Sequence, residues 1–288
     1  MPIVNDTEPT PSELSNLGEA LQTLWRLDVN RFQPGQDYEL NLQESKKTYD
    51  KEDAAAARLF TRVNKDKFFS IPSYAAFYNL LDNYVAEVGK NEVLTSMETG
   101  ENRRFIDAIC ETPVIRYMQR YLMKKNLIDG NVMSFKKLLE KLWFNFYGRG
   151  SGGDSSAFEH VFLGEVRQDK VIGFHNWVTL FLEERKNFLD YQGFITPRNR
   201  SHPLSRPTGQ EHIGCIQFKW KNVLKPMSTT LFGVSPEFEI ALYTLSFLCG
   251  KERTPTTFGD IDVNVVCYDY NHHSDRSIGS AYVELINY

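Results

Sequence analysis

The sequence predicts an α+β fold: a helical N-terminal half, then a half of antiparallel sheets with flanking helices. Three observations carry this. Apolar residues recur at helical spacing through the first 147 of the 288 residues. In the remainder they alternate with polar residues in several short stretches, as strands require. No GxGxxG turn and no βαβ rhythm support a doubly wound parallel sheet.

Residues 13–28 place Leu14, Leu17, Leu21, Leu24 and Trp25 on one helical face. Residues 74–88 continue with Phe77, Leu80, Leu81 and Tyr84. Residues 103–123 and 134–147 read as further helices, the last ending in Leu142, Trp143, Phe146 and Tyr147. Aromatics in such stripes are core material rather than a cofactor box. A glycine-rich stretch, GRGSGGDSS at residues 148–156, then interrupts the pattern. It lacks the GK[ST] ending of a phosphate loop and follows no obvious strand. We read it as a flexible connection between a helical region, residues 1–147, and a second region, residues 148–288, the two together forming one domain. Beyond it, Phe174, Trp177, Val178, Phe181 and Leu182 mark an amphipathic helix. Ile216, Phe218 and Trp220 mark a half-buried strand, and Lys225-Pro226 puts the lysine in extended chain near a strand end. Ser235-Pro236-Glu237 gives an N-cap, a proline at N1 and a first-turn acid for a helix that ends at Gly250. Val263, Val265 and Cys267 alternate again, as do Ala281, Val283 and Leu285.

Composition bounds the function classes. The chain is 41% hydrophobic and 24% charged, with a net charge of −4, which argues against a constitutive, nonspecific nucleic-acid binder. The acidity is uneven: residues 195–230 hold Arg198, Arg200, Arg206, Lys219, Lys221 and Lys225 against one acid, Glu211. Such a stretch is either solvated surface or a phosphate-facing groove. Cys110, Cys215, Cys249 and Cys267 lack CxxC spacing and read as free thiols. No apolar run approaches the ~20 residues of a membrane helix, and MPIVNDTEPTPSE has no signal-peptide character. A cytoplasmic protein is expected, with secretion or association with internal membranes as the alternative.

The chemistry-bearing residues are His160 in FEHVFLGE, His175 in GFHNW, and Lys225 in KPMSTT. Two imidazoles can take and give a proton, and an ammonium can face charge developing on phosphorus. His175 falls at a predicted helix N-terminus, where the dipole disfavours the imidazolium. Its bland alternative is a packing or capping histidine. His272 and His273, with Asp269 and Asp275, are either a metal site or a surface cluster, and no ligand spacing decides between them.

These segments resemble the poly(U)-specific endoribonuclease (EndoU, or XendoU-like) family. The matching blocks are FEHVFLGE, GFHNW, LDYQGF, KPMSTTLFGVSPEFEIALYTLSFL and IGSAY, across residues 158–282, and the helical region ahead of them suits the family's animal members. The resemblance makes residues 148–288 the catalytic half and carries the catalytic trio onto His160, His175 and Lys225. It implies a substrate-binding hydroxyl at Thr229, or at Ser228 beside it, and a tyrosine at Tyr282 to stack on a base or sugar. Glu159 and Glu165 match supporting acids that flank the first histidine. The implied activity is cleavage of single-stranded RNA at uridylates by 2′-OH transesterification, leaving a 2′,3′-cyclic phosphate and a 5′-OH. His175 is the expected base and His160 the expected acid, the reverse order being open. The resemblance also implies a divalent cation, Mn²⁺ or Ca²⁺, as activator rather than catalytic metal, with no ligands assigned. The expected partner is U-containing RNA and not DNA, and the expected state is a monomer. Two other readings stand beside this: a U-rich RNA-binding protein that does not cut, and a metal-dependent phosphodiesterase.

Overall fold

The computed structural model describes residues 7–84, 86, 88–89, 95–148, 153–272, 275–286 and 288. The chain opens with α1 (Pro11–Ser15) and α2 (Leu17–Leu27). The single helix expected over 13–28 is therefore two. Asn16 ends the first, and its side chain caps the second by accepting the Gly18 N–H. Next come β1 (Tyr38–Leu40), β2 (Ser45–Lys46) and β3 (Phe60–Val63), then α3 (Lys65–Ser70) and α4 (Pro72–Tyr78). The helix expected over 74–88 thus starts earlier and closes at Tyr78. The pattern expected as one helix over 103–123 is α5 (Ser96–Cys110) and α6 (Pro113–Lys124). Thr112 caps α6 and Pro113 takes its first position, so no continuous helix can run through. α7 (Val132–Phe144) closes this half.

The second half begins with a π-helical turn at Glu159–Leu163, then β4 (Glu165–Arg167), β5 (Lys170–Ile172), α8 (Trp177–Arg185) and β6 (Leu189–Ile195). After a 3₁₀ turn at Pro203–Ser205 come β7 (Ile213–Trp220), β8 (Val223–Leu231), α9 (Pro236–Cys249), β9 (Arg253–Phe258), β10 (Ile261–His272) and β11 (Asp275–Leu285). Two principal sheets result, ordered β2-β6-β7-β8 and β11-β10-β9. All their pairings are antiparallel except β2 with β6. β8 is an edge strand of the first sheet and β11 of the second, and the two edges pack against each other. Pro226 lies within β8, where an edge strand tolerates its missing N–H, opposite a register shift between Ile216 and Phe218.

α9 is the hub. Residues 236–247 are all buried, and it packs against α2, α4, α6, β10 and β11. An all-round apolar helix belongs in a core. Ser235 caps it by accepting the Phe238 N–H at 3.1 Å. The N-terminal half is laced into the second half as well as docked on it. β2 completes the sheet of β6, β7 and β8. Thr256 Oγ1 donates to Gly18 O at 2.8 Å, and a β-carbon on Gly18 would lie 2.5 Å from Pro255 O. Gln217 Nε2 donates to Asp50 O at 3.1 Å. The last contact explains one departure: β7, expected half-buried, is covered on both faces and exposes only Lys219.

Cys215 and Cys267 are buried and Cys110 and Cys249 half-buried, all four as free thiols. Among the described residues no helix is long and apolar enough to cross a membrane. Replacing Ser235 with alanine removes the cap of the hub helix at a buried position and should lower unfolding stability by about 1–2 kcal/mol, read as a lower urea midpoint with unchanged m.

Candidate active site

The site forms where the π-helical turn, the segment 173–175 and β8 meet, with β11 closing it. The turn places His160, and its last carbonyl bond runs from Gly164 N to Glu159 O at 2.9 Å. Ser156 steadies the entry: its hydroxyl accepts the Glu159 N–H and its carbonyl the His160 N–H. Gly164 has φ +82°, and a β-carbon there would collide with the Phe174 side chain.

Residues 173–175 are laid directly on this turn. Phe174 N donates to His160 O and His175 N to Val161 O, both at 3.1 Å. Gly173 makes the approach possible. It has φ +63°, and a β-carbon would lie 1.7 Å from His160 O. Phe174 also takes a left-handed conformation, φ +65°, held by its buried ring against Phe218 and Trp220.

β8 grips the same segment from the other side. Lys225 Nζ donates to Gly173 O at 2.6 Å, Ser228 Oγ donates to Phe174 O at 3.0 Å, and His175 Nδ1 donates to Thr229 O at 3.2 Å. The His175 ring lies flat against the Tyr282 ring of β11, with centroids 5.2 Å apart. His160 reaches β11 too: its Nε2 stands 3.2 Å from Ser280 Oγ. His160, His175 and Lys225 therefore converge, with Ser228, the Thr229 carbonyl and Tyr282 around His175.

The two imidazoles are held differently. His160 Nδ1 meets Glu165 Oε2 at 2.6 Å, with both side chains buried. A carboxylate there takes the Nδ1 proton as its hydrogen-bond donor and leaves Nε2 facing Ser280. His175 gives its Nδ1 proton to a neutral carbonyl, which likewise leaves Nε2 as the acceptor. Burial holds its pKa well below the ordinary histidine value, and the charges of Lys225 and His160 act in the same direction. Burial also lowers Lys225, to about 8. Such a set can accept a proton at one nitrogen, donate one at another, and place an ammonium beside an anion.

The supporting residues separate. Glu165 orients His160, whereas Glu159, though adjacent in sequence, lines a different cavity with Leu163, Thr179, Glu183 and Trp220. Ser228 is buried and its hydroxyl is held by Phe174 O. Thr229 is half-buried and lines a cleft of about 640 Å³ with Lys47, Tyr49, Arg198 and Met227. Of the basic stretch, Lys225 enters the trio and Arg198 the cleft, while Arg200 and Arg206 are exposed elsewhere. His273 lies outside the described residues, as do residues 149–152 of the glycine-rich stretch; Asp269 pairs with Arg276 at 2.6 Å. Sequence reasoning missed Ser280, although it stands two residues before Tyr282 in the IGSAY block. It also did not foresee the part that Gly173 plays in GFHNW.

The description "Endoribonuclease XendoU" belongs to the family model that matches residues 16–283. The chain belongs to the XendoU endoribonuclease family. Its relatives include uridylate-specific endoribonuclease B of Danio rerio, 40% identical over 280 residues, covering 94% of this chain and 96% of that one. The poly(U)-specific endoribonuclease of Xenopus tropicalis is 38% identical over 292 residues, covering 98% and 97%. The solved structure of XendoU, described as a splicing-independent snoRNA-processing endoribonuclease, superposes with a TM-score of 0.82 at 37% identity, covering 98% of this chain and 99% of its own. The α+β architecture and the expected family membership are both shown by these likenesses.

Because XendoU-type geometry here depends on a missing β-carbon, Gly173→Ala should separate the two histidine segments. The expected result is a folded protein with little RNA-cleaving activity. Circular dichroism together with an RNA cleavage assay checks this; a fully active variant would show that the approach of residues 173–175 to the turn is dispensable.

Proposed function

We propose that the chain is an endoribonuclease that cuts single-stranded RNA at uridylates, the 2′-OH attacking its own phosphate to leave a 2′,3′-cyclic phosphate and a 5′-OH. The observation that carries this reading is the convergence of His160, His175 and Lys225 on one three-residue stretch, residues 173–175. The names of the relatives support the uridylate preference.

His175 is the base on the 2′-OH. Its environment keeps it neutral near pH 7, and its Nδ1 bond to Thr229 O leaves Nε2 to accept. His160 is the acid on the leaving 5′-oxygen: Glu165 holds its Nδ1, which leaves Nε2 as the nitrogen free to give a proton to that oxygen. Lys225 faces the charge that develops on the phosphorane oxygens. Nucleophile and electrophile belong to one nucleotide, so positioning supplies much of the rate. Thr229, whose carbonyl holds His175, is the hydroxyl for the uracil edge, with Ser228 in an orienting role. Tyr282 supplies the flat surface on which a base or sugar stacks.

A divalent cation, Mn²⁺ or Ca²⁺, is the proposed activator. Among the described residues no group of three or more His, Cys, Asp or Glu side chains is arranged to hold an ion, and Glu159 and Glu165 face different surroundings. The ion's ligands are therefore not assigned, and the proton transfers are carried by the chain's own side chains. We further propose that residues 1–147 and 148–288 act as one domain, as a monomer, in the cytoplasm; the strand and side-chain contacts between the two regions and the free thiols support the first and the last.

A short RNA with one uridine and its twin carrying 2′-deoxyuridine test the reaction class. Only the first should be cut, with a cyclic phosphate found by mass spectrometry. Cutting of both would indicate hydrolysis and overturn the transesterification; binding of both without cutting would leave a sequestering protein. Lys225→Ala should lower kcat by about 10²–10³-fold. The pH profile of kcat/KM should fall on the alkaline side near pH 8, as Lys225 loses its proton and charge. On the acid side it should hold to well below pH 6.5, because only there does His175 gain the proton that disables a base. An acid limb at 6.5 or above would oppose the assignment of His175.

A further inference from the structure

Asn176, the residue after His175, uses both ends of its amide. Oδ1 accepts the N–H groups of Val178 and Thr179, each at 3.0 Å, and so caps α8. That fixes how the planar amide faces, and Nδ2 is turned to donate to Glu239 Oε2 at 2.5 Å. Both residues are buried, Asn176 at 0% and Glu239 at 1% exposure. A helix cap needs only an acceptor, and serine, threonine or aspartate would serve. The second, inward bond is what the amide adds here: its Nδ2 is a donor that an ionised aspartate lacks.

Glu239 stands in the first turn of α9, whose residues 236–247 are all buried. Two further ties fix the same spot: Asn176 bridges Leu231 at the end of β8, and Trp177 Nε1 donates to Val234 O at 2.7 Å. The start of α8 is thus referenced to the hub helix, and the His175 imidazole hangs immediately ahead of it between Thr229 O and the Tyr282 ring.

We propose that Glu239 is a positioning residue for His175: through Asn176 it sets where α8 begins, and with it where the imidazole stands against Thr229, Tyr282 and Lys225. This rests on the reading of His175 as the base. Burial pushes the Glu239 carboxyl up to about 8, so near neutral pH it holds its proton. Asn176 therefore needs an acceptor oxygen rather than a charge, and glutamine is the conservative replacement.

The test compares Glu239→Leu, Glu239→Gln, Asn176→Ser and His175→Ala in the full chain, by kcat, KM and the pH profile on the single-uridine RNA, with thermal melting alongside. Asn176→Ser keeps a cap but cannot reach Glu239, so it decides the matter even if Glu239→Leu does not fold. Glu239→Leu and Asn176→Ser should lower kcat by about 10- to 100-fold with KM little changed. Their acid limb should move to higher pH as the imidazole becomes better solvated. Glu239→Gln should restore both. Folded Asn176→Ser with wild-type kcat and an unmoved acid limb would overturn the proposal. If His175→Ala itself kept wild-type kcat, the failure would lie in the reading of His175 as base, and the role of Glu239 would fall with it.

Discussion

The approach of Gly173 to the carbonyl of His160 is the constraint on which the rest of the site depends. Any side chain at residue 173 would occupy the space of that carbonyl. Its absence lets residues 173–175 lie on the π-helical turn with two backbone hydrogen bonds, and the carbonyls so exposed on the far side are taken by Lys225 and Ser228. A wide turn is often found where function needs an unusual backbone. Here it presents the His160 carbonyl to one neighbour and the His160 ring to another.

The electrostatics follow from that packing. Lys225 is buried because its amine must reach Gly173 O, and burial is what brings its pKa towards neutrality. His175 is drawn in with it and kept neutral by burial and by the lysine's charge. His160 is buried too but meets a carboxylate instead of a carbonyl.

Much of this was legible in the residue order. Period-two runs marked β10 and β11, Ser235-Pro236 marked the start of α9, and the histidine and lysine motifs named the trio. Helix boundaries were less legible: the apolar stripe over residues 13–28 carries no sign that Asn16 would turn its side chain to Gly18, and the short strands β1, β2 and β3 are too brief to show a period. Within the site, Glu159 and Glu165 looked equivalent from sequence, both flanking His160. The π-helical turn sends one toward the imidazole and the other into a separate cavity. Thr229 was preferred over Ser228 from sequence, and the backbone puts their hydroxyls in different places, Ser228 on Phe174 O and Thr229 on an open cleft.

The sequence by itself determined the chemical inventory and the fold class, since residue type and periodicity are local properties that survive without coordinates. Only the tertiary structure decided which groups meet. Lys225 lies fifty residues from His175, and Tyr282 farther still, and their contacts depend on two sheet edges, β8 and β11, packing together across a turn. The lowered pKa of His175 depends on burial and on neighbouring charge, neither of which a residue carries in its name.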